Sequence, residues 1–222
     1  MTSAETFNLP LFPLGTVLFP GMPLALHLFE ERYLRLMQDR ADIDPVFGVV
    51  LTRLGREVGD QPEIHQVGTA ARLVGGRERP DGRLDIVVEG TRRFRVVSGD
   101  WDKGYLTAAV RLVDEAVGDV YEASGLMSPV IAAYEDLSRR SNPSAEINLT
   151  LPTTGLDPTV VGYAVATGLA IHTWEHQGLL EEPTTVARLT RLRDILRRER
   201  RLLVATGIGG ASVYPGAGFS PN

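Results

Sequence analysis

Residues 9–37 read LPLFPLGTVLFPGMPLALHLFEERYLRLM, and this stretch decides the fold. Pro13, Gly15, Pro20, Gly21 and Pro23 punctuate an apolar run. Each proline removes an amide donor and clashes with the preceding turn, so the run cannot be one helix. It predicts two short buried strands, Leu9–Phe12 and Leu24–Leu28, joined by a segment shaped by turn residues. At least one of Gly15 and Gly21 is expected to need a positive φ. From Glu30 to Arg40 the spacing turns helical: Phe29, Tyr33, Leu36 and Met37 share a face, with charged residues mostly opposite.

Working outward, candidate strands follow at Val46–Leu51, Ile64–Val74, Leu84–Glu89, Arg92–Val97 and Tyr105–Val113. Leu84, Ile86 and Val88 alternate with Asp85 and Glu89, with Val87 as the exception, the mark of a half-buried strand. Pro80-Asp81-Gly82 supplies a turn. Short strands at this spacing with one early helix predict a small closed or half-closed barrel. The second half reads as helical. Val120–Arg139 ends at Ser141-Asn142-Pro143, Asp157-Pro158 caps another helix, Thr173–Leu180 forms a short one, and Pro183-Thr184 starts the last. Residues 206–222 are rich in Gly and Pro and read as a flexible tail.

At 222 residues, with 43% hydrophobic and 23% charged residues, the chain is ordinary globular material with ample core. It has no cysteine, which excludes disulfides, thiolate metal sites and cysteine nucleophiles. The first ten residues lack a basic region followed by an apolar core, so no signal peptide is expected. The longest mostly apolar stretch, Val160–Ile171, falls short of the roughly 20 residues a membrane helix needs, and the cytoplasm is the expected location. The net charge of −5 hides a contrast. Residues 116–183 carry nine acids and two arginines, whereas 184–222 carry seven arginines and two acids. The two segments should attract each other.

The opening stretch, FGVVL (47–51), VGTAARL (67–73), GRLDIVVEGTRRFRV (82–96, read as a hairpin) and QGLLEEPTTVARLTRLRDILRRE (177–199) together resemble the Lon N-terminal domain. That domain is the substrate-recognition part of ATP-dependent Lon proteases. The resemblance runs from about Leu9 to Leu203 and does not cover the motor or peptidase domains of a Lon protease. It implies an α+β fold: a PUA-like β pseudo-barrel over 1–115 followed by a helical bundle over 116–205. It implies non-catalytic recognition of unfolded or exposed apolar polypeptide segments, as an adaptor or weak holdase, with a protease or chaperone as a further partner. Neither a cofactor, nor a membrane, nor nucleic acid is expected as a partner.

The residues offer several candidate sites. Phe12, Val17, Leu18, Phe19 and Met22 lie where prolines prevent regular pairing, and they are the candidate substrate-binding surface; flexible methionine and aromatic side chains suit promiscuous contacts. No catalytic residue is assigned. The lone lysine, Lys103, has no phosphate-binding loop around it and no serine placed beside it. His172-Thr173-Trp174-Glu175-His176 matches H-x-x-E-H. On one helix His172 and His176 would share a face and hold zinc, with Glu175 as general base, making the alternative a zinc-dependent peptidase. The bland reading is a polar connector with Trp174 tucked inward. His27 reads as a partly exposed strand residue. Arg92, Arg93 and Arg95, with the basic face of Arg188–Arg201, suggest RNA binding as the other alternative, although aromatics are sparse in both clusters.

Overall fold

The computed structural model describes residues 5–40, 46–54, 61–101, 103–141 and 156–206. Residues 207–222 and the Asn142-Pro143 break lie outside them. The chain divides into two compact units that meet in sequence at Asp114 and Glu115.

The first unit is β-rich. Its strands are β1 (Phe7–Leu14), β2 (Pro23–Leu28), β3 (Val46–Leu54), β4 (Glu63–Ile64), β5 (Val67–Glu78), β6 (Leu84–Asp100) and β7 (Leu106–Leu112), with helix α1 (Glu31–Arg40) after β2. Five strands close a ring in the order β1-β7-β6-β5-β3, sealed by parallel pairing of β1 with β3; every other pairing is antiparallel. β1 makes the closure by changing partner at Leu11. Phe7–Leu11 run beside β7, and Leu11–Leu14 run beside β3. β2 lies outside the ring, against the first half of β6.

The apolar run LPLFPL is buried on both faces because the ring needs both. Leu9 and Leu11 join Val50, Ala70, Phe94, Leu106, Ala108 and Val110, a cluster drawn from all five ring strands, which therefore fills the ring. Phe12 and Leu14 face the other way. They pack with Leu18, Leu26, Leu28, Tyr33, Leu36, Phe47, Ile86 and Val88 in a second layer beneath β2 and α1. The interior is tight. A Cβ at Gly48 or Gly68 would overlap the Phe94 ring, so the one large side chain in the middle depends on two bare positions beside it.

Sequence reasoning placed a hairpin over residues 82–96, and this requires correction. Leu84–Asp100 is one long strand. The hairpin is β5–β6, turned at residues 79–83, where Gly82 has φ 80°. Gly90 bends β6 rather than reversing it. A register shift between Thr69 and Ala71 puts extra β6 residues opposite Ala70, and a bulge of this kind kinks a strand without ending its ladder.

The second unit is helical: α2 (Val120–Ser141), α3 (Pro158–Gly168), α4 (Thr173–Glu181) and α5 (Thr185–Thr206). Asp157 caps α3, its carboxylate accepting from the Thr159 and Val160 amides, with Pro158 at the first helical position. Arg188 of α5 is completely buried. It donates to the Leu179 and Glu182 carbonyls and to Glu115, and lies 4.2 Å from the Tyr163 ring centroid. Tyr163 donates to the other oxygen of Glu115.

Candidate functional site

The segment between β1 and β2 is a strap lying over the sheet. The Thr69 hydroxyl donates to the Leu18 carbonyl at 2.6 Å, the Gly21 amide to the Gly90 carbonyl at 2.7 Å, and the Gly90 amide to the Met22 carbonyl at 3.0 Å. Its end is a β-turn, Phe19-Pro20-Gly21-Met22, closed by the Met22 amide on the Phe19 carbonyl. Proline in the second position and a glycine with φ 74° in the third are the type II arrangement. Of the two candidate glycines, Gly21 is therefore the one with positive φ.

The strap turns its apolar side chains inward. Phe12, Leu18, Phe19 and Met22 are buried, and of the five candidate binding residues only Val17 is half-exposed. The Phe12 ring centroid lies 3.9 Å from that of Tyr33 and 6.2 Å from that of Phe47. Four of the five candidate substrate-binding residues are thus buried and not an exposed surface. In this conformation they are core, because three backbone-directed hydrogen bonds hold the strap down.

What the β unit presents outward is the far face of β2, β6 and β5. Three cross-strand rows run across it: Pro23–Glu89–Arg72, then Ala25–Val87–Gly75, then His27–Asp85–Arg77. Asp85 is the hub of the last row. His27 Nδ1 lies 2.8 Å from its Oδ1, and the Nε groups of Arg77 and Arg79 donate to its Oδ2 at 3.0 and 2.8 Å. The Arg79 bond, followed by those of His27 and Arg77, holds the Asp85 carboxyl well below the usual carboxylate range. Sequence reasoning saw His27 and Asp85 only as polar positions in alternating strands. They stand 58 residues apart, and their pairing follows from the β2–β6 register.

The H-x-x-E-H segment does not form the alternative zinc site. His172 is the N-cap of α4, in extended backbone, so it does not lie one helical turn below His176 on a common face. Its ring stacks on Trp174. Trp174 itself is largely exposed rather than tucked inward. Glu175 is buried and accepts two bonds from Arg198, at 2.6 and 3.1 Å. Burial raises its pKa, but the Arg198 contacts outweigh this and leave it lowered. A carboxylate engaged in this way is not available as a base. The His176 Nε2–H donates to the Leu169 carbonyl at 2.9 Å, and burial pushes its pKa down.

The arginine clusters are also partly spent. Arg93 is buried and reaches the Asp114 carbonyl, whereas Arg92 and Arg95 are exposed. On α5, Arg188, Arg191, Arg198 and Arg200 pair with Glu115, Glu182, Glu175 and Asp136. The basic helix thus neutralises acids of its own unit. Among the described residues, no helix is long and apolar enough to cross a membrane.

Residues 8–198 match the family model of the ATP-dependent protease La (LON) substrate-binding domain. The chain belongs to that family. It is 28% identical over 204 residues to the Lon protease of Trichlorobacter lovleyi, covering 88% of this chain and 24% of that protein. Against Lon protease 2 of Myxococcus xanthus it is 29% identical over 202 residues, covering 88% and 24%. It spans about a quarter of the length of these curated relatives. The crystal structure of a Lon N-terminal domain protein from Xanthomonas campestris superposes with a TM-score of 0.56 at 28% identity, covering 84% of this chain and 96% of that one. The N-terminal domain of a Mycobacterium avium complex Lon protease superposes at 0.65 with 18% identity, covering 86% and 98%, a likeness of fold. The β-rich unit followed by helices is the architecture of this family.

Proposed function

We propose that this protein recognises unfolded or exposed apolar segments of other polypeptides without cutting them, as an adaptor or weak holdase. The observation that carries this reading is the match of the substrate-binding family model across 8–198. The arrangement of the residues is compatible with it. The side chains that could have served hydrolysis, Glu175 and His176, are committed to internal bonds. On this reading the client surface belongs to the β unit, and Phe12 of β1 with the strap residues Leu18, Phe19 and Met22 supports that surface from below. A client held in this way would pass to a protease or chaperone, in the cytoplasm and without a cofactor. The test is binding of a reduced, permanently unfolded model protein, followed by fluorescence anisotropy, with the same protein in its native state as the control. Equal affinity for the two forms overturns the reading.

A further inference from the structure

From Leu73 to Glu78, β5 has a ladder partner on one side only among the described residues. Its pairing with β3 ends at Arg72, while its pairing with β6 continues to Glu78. No described residue pairs with its other side there, and residues 74–78 are exposed. Open edges are normally blunted by proline or by charged side chains that lie along them. Here the strand offers Val74-Gly75-Gly76. Its basic residues turn away from the edge and reach across to β6: Arg72 to Glu89, Arg77 to Asp85, and Arg79, just past the strand, also to Asp85.

The face beside this edge has a definite chemistry. A register shift between Leu73 and Gly75 leaves Val74 unpaired beside the row Ala25–Val87–Gly75. Val74 is 49% and Val87 39% exposed. A Cβ on Gly75 would meet nothing within 4 Å, so there is room over it for a neighbour's side chain. One row further on, two guanidinium groups share the single Asp85 carboxylate, which leaves this face positive beside the apolar patch, while the exposed Glu78, paired with Leu84, falls on the alternate face.

We infer that the outer edge of β5, residues 73–78, is where a client binds, as an added strand. The occupant is an extended polypeptide with a bulky apolar side chain over Gly75, against Val74 and Val87, and a carboxylate two residues along, toward Arg77. The inference rests on the polypeptide-recognition reading and gives it a place. An extended backbone is the complement of an open edge, since ladder bonds supply affinity while side chains at alternate positions supply selectivity. Six edge residues span roughly 20 Å, at about 3.3 Å each, the length of an ordinary strand.

The test uses a fluorescein-labelled peptide of alternating valine and threonine with a central tryptophan and one glutamate two positions away. A second peptide carries lysine in place of the glutamate. Two further versions carry N-methyl groups on alternate amides in opposite phase. Because only every second amide of an added strand faces the edge, one methylated phase should lose binding and the other should keep it. The glutamate peptide should bind about fivefold tighter than the lysine peptide, as expected for an exposed ion pair. Amide exchange of residues 73–78 should slow when the peptide is bound. Gly75→Lys should bind at least tenfold more weakly while its melting temperature stays that of the wild type. Equal loss from both methylated phases, protection elsewhere, or full binding by Gly75→Lys overturns the edge assignment. If the unfolded model protein still binds under those outcomes, recognition stands and only its location is wrong. If neither probe binds, both readings fall.

Discussion

The carbonyl oxygen of Phe19 occupies the space in which a side chain on Gly90 would begin. The strap and the bend in β6 are therefore one device: the bend has no side chain because the strap rests on it, and the Gly21 and Met22 backbones bond to that same residue. Gly90→Ala should accordingly lower stability by about 1–3 kcal/mol, the usual cost of forcing extra volume into a packed site. Chemical denaturation checks this. A shift in midpoint below the equivalent of 0.5 kcal/mol would show that the strap lifts freely.

Gly21 has φ 74° and a Cβ added there would meet nothing within 4 Å, while Gly15 is exposed and has no positive φ. The two should part company on substitution. Gly21→Val should cost roughly 1–3 kcal/mol through backbone strain alone, and Gly15→Val much less. Melting curves of the two variants are the comparison, and equal losses would mean that the turn geometry is not what Gly21 supplies.

Two titrations should mark the two units in separate pH windows. Asp85 has a depressed carboxyl pKa in the folded chain. Its stabilisation is complete above the unfolded value near pH 4, and it drains away as the pH falls below that toward the folded value. His176 is likewise depressed, by burial, so its contribution is present above about pH 6.5 and is lost on acidification through that point. Asp85→Asn should flatten the loss of stability below about pH 4. His176→Gln should flatten the part that begins below about pH 6.5. Urea midpoints across this range give both slopes, and unchanged profiles in the variants would contradict these assignments.

Arg198 is 40% exposed, but the Glu175 it holds is buried. Arg198→Met should destabilise by roughly 1–3 kcal/mol, less than the loss of a fully enclosed pair, because water reaches the arginine side. Arg198 also holds the buried Glu199, so Glu175→Gln combined with Arg198→Met should recover only the part of that loss due to Glu175, one of the two carboxylates left without their arginine. No recovery in the double variant would place the cost in Glu199 or in packing instead.

Much of the fold is legible in the residues. The proline-broken opening is two strands, the alternation of Leu84, Ile86 and Val88 is a strand with one buried face, and Asp157-Pro158 starts a helix. The charge contrast between 116–183 and 184–222 becomes ion pairs such as Arg191–Glu182 and Arg200–Asp136. The direction of the strap was not legible. Phe19 and Met22 read as a candidate binding surface in a turn-shaped segment, and only the bonds from Thr69 and Gly90, some fifty to seventy residues later, fix their side chains inward. A Phe19→Ser change is therefore expected to damage the core rather than to report on binding. The H-x-x-E-H spacing misled because helical spacing means a shared face only inside a helix, and His172 stands at the cap. The Asp85 hub depends on a strand register that no local pattern encodes.

The most direct measurement of the central claim is the affinity of a reduced, unfolded model protein at low ionic strength and in roughly 1 M salt, where charges are screened beyond about 3 Å. Three proteins are compared: wild type, Gly75→Lys, and a variant with Arg193, Arg197 and Arg200 changed to Gln. Recognition by a strand edge and an apolar patch on the β unit predicts that wild-type binding survives high salt. It further predicts that the arginine variant binds as the wild type does and that Gly75→Lys loses most of its affinity. Binding that salt abolishes, and that the arginine variant lacks while Gly75→Lys retains it, would contradict the account and make the basic final helix the binding surface.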